Sequence, residues 1–177
     1  MPETTAERTI REILDYRCPR YEQLPDIPLY SDQIIDALNR LTSPLLGSEE
    51  NVITAAMINN YVKQRLLPPP EKKRYGQEHL AHLYCICLLK QTFTISEIAA
   101  MLNIQTHSYP FPVAYNYFCR ELESALQAAF STRNFPPSCA SHVTPESELV
   151  RTAALSVANK LFTTKFIQLY NMAEENP

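Results

Sequence analysis

Apolar residues recur at helical spacing along most of the chain, and short polar or proline-rich breaks separate the runs. Over residues 5–16, Ile10, Ile13 and Leu14 form one inward face. Ser31 is a candidate N-cap for a helix over 32–41 that turns Ile34, Ile35 and Leu38 inward. Residues 42–52 read as a connecting loop. Thr54 then caps a short helix to about Gln64, which the triplet Pro68-Pro69-Pro70 closes. The run 77–91 predicts a strongly apolar helix with Leu80, Leu83, Tyr84, Cys87 and Leu88 on one side. Thr94 caps another helix, with Glu97 at the capping-box position and Ile98, Met101 and Leu102 buried. Two prolines within 104–112 interrupt the pattern and mark a domain boundary. Helices resume over 113–130 and 146–172, the second roughly 40 Å long. Its apolar face runs through Leu149, Val150, Ala153, Ala154, Val157, Leu161, Phe166 and Leu169. A face that broad needs a neighbour, in the chain or in a second subunit. The expected fold is all-α: an N-terminal helix over 1–18, a first domain over 19–103, and a helical dimerisation domain over 104–177.

Composition narrows the function. The 177 residues hold only 2 glycines, Gly47 and Gly76, against an average usage of about 7%. Dinucleotide fingerprints, phosphate-cradling loops and nucleophile elbows all need glycine, and none is present. The 14 prolines fall in clusters that punctuate helices. Five cysteines, odd in number and irregular in spacing, suit reduced thiols in a cytoplasmic protein better than a disulfide framework. No long apolar run signals a membrane span, and the first residues lack the pattern of a signal peptide.

Charge picks out one segment. Residues 1–59 carry 5 basic and 10 acidic side chains, whereas residues 60–90 carry 6 basic and 2 acidic. A compact basic stretch on a chain of net charge -3 is an electrostatic footprint for an anionic partner. Within it, a helix beginning at Thr54 buries Ile58, Tyr61 and Val62 and projects Asn59, Asn60 and Lys63 elsewhere. A short helix with a small, amide and basic outer face can lie in a DNA major groove. There Asn pairs with adenine and Lys with guanine or phosphate. Arg65 and the proline triplet follow, then Lys72-Lys73-Arg74-Tyr75, three cations and a phenol suited to backbone phosphates. The expected DNA-binding residues are therefore Thr54, Asn59, Asn60, Tyr61, Lys63, Arg65, Lys72, Lys73, Arg74 and Tyr75.

These residues resemble two families. Thr54 to Pro69 is similar to the second helix and turn of MerR-type regulators, with Ile58 at the family leucine, Tyr61 at its second tyrosine and Leu66-Leu67-Pro68-Pro69 matching directly. Arg74-Tyr75 falls where the MerR wing places arginine before an aromatic. Gln77-Glu78-His79-Leu80 and Phe93-Thr94-Ile95-Ser96-Glu97-Ile98 resemble its two following helices. Asn59 stands in place of a family arginine, Arg65 in place of the turn glycine, and the wing is shortened. A closer resemblance is to the bacterial domain-of-unknown-function family number eighteen-thirty-six. It is carried by Pro19-Arg20-Tyr21-Glu22-Gln23-Leu24-Pro25-Asp26-Ile27-Pro28-Leu29-Tyr30, by Asn59-Asn60-Tyr61-Val62-Lys63 through the prolines, and by Ile86-Cys87-Leu88-Leu89-Lys90-Gln91. That family is regarded as MerR-like in fold, and its function is not established. The resemblance implies a winged helix-turn-helix over 19–103 and a DNA-binding transcriptional regulator that pairs as a homodimer on double-stranded DNA.

Other constellations carry less. His79, His82 and Cys85 recur every three residues, but they spread over about 120° of a helix with no fourth ligand nearby. Cys85 and Cys87 point to opposite sides, against a redox pair. Tyr109, Phe111, Tyr115 and Phe118 form an aromatic cluster that could line a pocket for a small-molecule effector, or else belong to core or interface. No nucleophile sits in an activating arrangement, so neither enzyme chemistry, a metal nor a cofactor is expected. The alternative function is a protein-interaction or small-ligand-sensing module that keeps the winged fold without using DNA.

Overall fold

The computed structural model describes residues 3–48 and 52–175. They contain seven α-helices: α1 (Thr5–Asp15), α2 (Ser31–Leu46), α3 (Ala55–Lys63), α4 (Gln77–Leu89), α5 (Ile95–Ser108), α6 (Phe111–Gln127) and α7 (Pro145–Glu175). No strand occurs among the described residues, only two isolated antiparallel bridges, Leu29 with Tyr75 and Glu71 with Arg74. The chain divides into two compact units. One is Pro19–Asn116; the other joins the segment ending at Cys18 to the segment beginning at Tyr117. The boundary thus falls within α6, not at residues 103 and 104, and α1 belongs with the C-terminal helices. Residues 104–112 do not form a linker because α5 continues to Ser108 and the prolines start the next helix. Pro110 accepts the N–H of Val113 (3.0 Å) and Ala114 (3.2 Å). Pro112 lies in the first turn, where a missing donor costs nothing.

In the 19–116 unit the core is built on α4. Every side chain from Leu80 to Leu89 is buried, where the sequence pattern points to one apolar side. A helix apolar all round belongs in the middle of a core. α2 packs on α4, and α3 on α2. The buried stripe of α2 is Ile34, Leu38, Thr42 and Leu45, so the helix runs past the expected stop at 41. It survives Pro44 because the Ser43 hydroxyl donates to the Arg40 carbonyl (3.2 Å), the acceptor that Pro44 cannot serve. Gly47, at φ 86°, ends the helix. Residues 49–51 of the expected loop lie outside the described residues. Tyr30, not Ser31, is the N-cap, its N–H held by Gln33 Oε1 (2.9 Å). The capping box of α5 forms as expected: Thr94 N–H donates to Glu97 Oε2 (2.8 Å), and Glu97 N–H to Thr94 Oγ1 (3.3 Å).

Residues 19–24 are tied down from two helices. Gln77 Nε2 donates to the carbonyls of Tyr21 (2.9 Å) and Leu24 (3.1 Å), and the Tyr115 hydroxyl donates to Pro19 O (2.9 Å). Asn116 Oδ1 accepts the Tyr21 N–H (2.8 Å).

In the other unit, α1 and α7 both pack on a π-helical turn, Ala128–Thr132, which Arg133 closes in the left-handed conformation at φ 58°. Cys18 N–H donates to Glu123 Oε1 (2.7 Å). Glu121 is buried and accepts the Ser138 hydroxyl (2.7 Å) and the Cys139 N–H (2.8 Å), stapling the 133–144 connection to α6. Burial pushes its carboxyl up, but the hydrogen bonds from Ser138, Cys139 and Tyr117 outweigh that and hold it below the usual range. α7 buries Val150, Ala153, Ala154, Val157, Ala158 and Leu161. Beyond Leu161 none of its described side chains is buried. There Phe166 (60% exposed), Ile167, Tyr170 (57%) and Met172 face solvent. Phe162, Phe166 and Tyr170 stack in series along that stretch.

Among the described residues no helix is long and apolar enough to cross a membrane, and no group of His, Cys, Asp or Glu could hold a metal. Pro44→Ala restores the donor to the Arg40 carbonyl and should raise the unfolding free energy by about 1 kcal/mol or more. Urea denaturation of the full chain reads the gain directly.

Candidate nucleic-acid interface

The start of α3 is set by a clamp on the residue pair before it. Val52 N–H donates to Asn39 Oδ1 (3.0 Å) from α2, and the Val52 carbonyl accepts from Lys90 Nζ just after α4. Ile53 is fully buried, and Thr54 Oγ1 caps the Met57 N–H (3.3 Å). The following turns bury Ile58 and Tyr61, which leaves Asn59, Asn60 and Lys63 exposed, as is Thr54 at the cap. The helix ends in a tight turn. Leu66 and Leu67 both donate their N–H to the Tyr61 carbonyl (2.9 and 3.2 Å), and Arg65 adopts φ 59°, a left-handed conformation that glycine takes more easily. Leu66 and Leu67 are buried and anchor the exit.

The basic segment is a minimal hairpin. Glu71 and Arg74 exchange backbone hydrogen bonds (3.0 and 2.8 Å), leaving a two-residue loop of Lys72 (φ 47°) and Lys73 (φ 64°). Positive φ at both central positions is the type I′ arrangement, which Asn-Gly prefers. Lysine there carries backbone strain of about 1–3 kcal/mol per residue. The base of the hairpin is joined to the segment before α2 by two bonds between Leu29 and Tyr75, each 2.8 Å. The Tyr75 ring meets His79 edge-on at 5.5 Å, and His79 Nδ1 accepts the Gly76 N–H (3.0 Å). Lys63, Arg65, Lys72 and Lys73 are exposed and carry no ion pair among the described residues. Arg74 lies 4.8 Å from the centre of the Tyr30 ring and donates to the Tyr30 hydroxyl (2.8 Å). That contact lays its guanidinium along α2's N-cap.

Thr54, Asn59, Asn60, Lys63, Arg65, Lys72, Lys73 and Arg74 are therefore on the surface of one compact unit, on consecutive elements. Tyr61 and Tyr75 are not. Each ring is only 4% exposed, and burial raises both phenols above their ordinary value. They pack the core, so neither ring is placed to meet a phosphate as expected. Sequence reasoning missed the surroundings of the hairpin. A cleft of about 780 Å³ opens beside it, with Tyr21, Tyr30 and Arg74 in its wall together with the carboxylates Asp26, Glu71 and Glu78. Lys72 and His79 line the cleft as well, so its charge is mixed. The signal was local: Glu71 and Glu78 bracket the basic run in the sequence.

The four residues of the expected effector cluster are divided between the two units. Tyr115 is buried among Tyr21, Tyr84 and Phe111, with ring centres 6.0–6.2 Å apart. Phe111 stacks on His82 at 3.7 Å, Tyr109 is half-buried at the end of α5, and Phe118 is buried in the other unit. Their rings are taken up by packing.

A family model described as a domain of unknown function, DUF1836, matches residues 19–118. The chain belongs to that family. The match coincides almost residue for residue with the compact unit Pro19–Asn116. The DUF1836 segment thus comprises the clamped residues 19–24 with their single 3-10 turn, α2 to α5, the hairpin and the first turns of α6. No curated protein matches the chain, and no solved structure does.

The strain at the hairpin tip makes a specific prediction. Replacing Lys72-Lys73 by Asn-Gly (Lys72→Asn with Lys73→Gly) should stabilise the DUF1836 unit by about 1–3 kcal/mol. Chemical denaturation checks it, and an unchanged midpoint would mean the turn carries no such strain.

Proposed function

We propose that the protein is a DNA-binding transcriptional regulator whose DUF1836 unit is a MerR-like winged helix-turn-helix, with no chemistry of its own. One observation carries this reading. A short helix, α3, is clamped at its start and buried on one face, and it presents Asn59, Asn60 and Lys63 to solvent immediately before a hairpin tipped by two unpaired lysines. The element order supports it: α2 and α3 correspond to the helix-turn-helix pair, the Glu71–Arg74 hairpin to a reduced wing, and α4 and α5 to the supporting helices. Asn59, Asn60 and Lys63 read base edges in the major groove. Thr54, Arg65, Lys72, Lys73 and Arg74 meet phosphates, which set register without specifying sequence.

A reader helix of 9 residues with few cations binds weakly alone, so two copies on a near-palindromic site are part of the proposal. The exposed ladder of Phe166, Ile167 and Tyr170 on α7 is the surface offered for that pairing, since contiguous exposed aromatics on a soluble chain mark an interaction face.

Selection of duplexes from a random pool, followed by titration at several salt concentrations, tests the DNA reading. Asn60→Ala should cost about 1–3 kcal/mol on the selected site and relax preference at one base pair. Lys73→Ala should weaken all duplexes alike and reduce the salt slope by about 1. No binding at low salt by a chain of intact fold would refute the regulator reading. For pairing, Phe166→Glu with Tyr170→Glu should convert a dimer to a monomer by light scattering while leaving thermal unfolding of the DUF1836 unit unchanged. A wild-type chain that is already monomeric would remove that part of the proposal.

A further inference from the structure

Between the turn that ends α3 and the face of α5 lies a hollow of about 300 Å³ that the DNA reading does not use. Val62, Leu66, Leu67, Ala99 and Leu102 give it apolar surface, and Asn103 and Thr106 of α5 line it as well. His82 and Arg65 complete its polar lining. His82 lies on α4 and is only 7% exposed. Its Nδ1 is 2.9 Å from the Glu78 carbonyl, an acceptor, so Nδ1 carries the proton and Nε2 is the ring's acceptor. Desolvation lowers the pKa of the imidazole, against the opposing pull of the Glu78 carbonyl. The stack on Phe111 locks the ring's plane. Nε2 has no hydrogen-bond partner among the described residues, and His82 is one of the side chains that line the hollow. Arg65 is the second group, an exposed guanidinium with no ion pair, on a left-handed residue where its own backbone is strained.

A ring acceptor and an unpaired cation lining the same partly apolar hollow suit a ligand with a donor at one end and an anion at the other. We propose that this hollow binds a small phenolic carboxylate, with the hydroxyl donating to His82 Nε2, the ring between the α3 turn and α5, and the carboxylate paired with Arg65. Size agrees, because the volume stands at the lower end of small-molecule sites, about 300–1,000 Å³. Arg65 also belongs to the residues assigned to phosphate. An occupied hollow therefore withdraws one cation from the DNA face; that consequence rests on the regulator reading, whereas ligand binding does not.

The experiment follows amide chemical shifts of the full chain while para-hydroxybenzoate or para-hydroxyphenylacetate is added. Saturable shifts confined to residues 62–69, 82 and 99–106 are expected from at least one of the two acids. Tyrosol, which lacks the carboxylate, and para-methoxyphenylacetate, which lacks the donor, should each bind roughly tenfold more weakly. Arg65→Gly removes the guanidinium while suiting the left-handed backbone, and it should weaken the acids roughly tenfold and leave tyrosol unaffected. The absence of saturable shifts from both acids at millimolar concentration would overturn the assignment. So would binding indifferent to Arg65→Gly and to both chemical deletions. Because the readout contains no DNA, its failure leaves the regulator reading standing, and the reverse holds as well.

Discussion

Burial of α4 on every side is the constraint on which the DUF1836 unit depends. A helix without a wet face exists only if its neighbours cover it completely, and each neighbour is placed by that need. α2 lies along it, Phe111 and Tyr115 from α6 reach His82 and Tyr84, and Gln77 at its start holds the carbonyls of residues 21 and 24. Each leucine or isoleucine fully enclosed there contributes about 1.5–3 kcal/mol. The same enclosure keeps thiols inert. Cys87 is pushed up to about 12 by burial, against a smaller opposing effect of Lys90, so it stays protonated and unreactive at neutral pH.

The candidate interface inherits its geometry from this core. α3, with 9 residues, is too short to hold its helix in isolation. It is held because its entry is hydrogen-bonded to α2 and to Lys90 beside α4, and because Ile58, Tyr61, Leu66 and Leu67 are buried around its exit. The hairpin is held in the same manner through Leu29 and Tyr75. What remains exposed is small, polar and basic. Rigid support beneath a few polar groups favours recognition, since little ordering is left to be done on binding.

Much of this was legible in the sequence, and the exceptions have physical causes. Caps at Thr54 and Thr94 are local hydrogen-bond devices, and both appear where the residue types place them. The outward strip of Asn59, Asn60 and Lys63 follows from helical periodicity once the start of α3 is known. Tyr61 and Tyr75 were misjudged because an amphipathic ring beside basic residues reads equally well as a phosphate contact or as core, and only tertiary packing decides. The stop of α2 was misplaced because Pro44 is compensated by one side-chain hydroxyl, a rescue invisible to propensity. The boundary between units was misplaced for a related reason: Pro110 and Pro112 begin α6 where they were read as breaking a helix.

The partnership of α1 with α6, α7 and the π-helical turn bears on the order in which the chain can fold during synthesis. The N-terminal helix leaves the ribosome first, yet its packing partners are translated roughly a hundred residues later. The intervening DUF1836 unit is compact in itself, so it can condense while α1 still waits. Such long sequence separations slow the final docking step. Until that step the apolar stripe of an amphipathic helix, Ile10, Ile13 and Leu14, is left uncovered on the nascent chain, a natural target for chaperones.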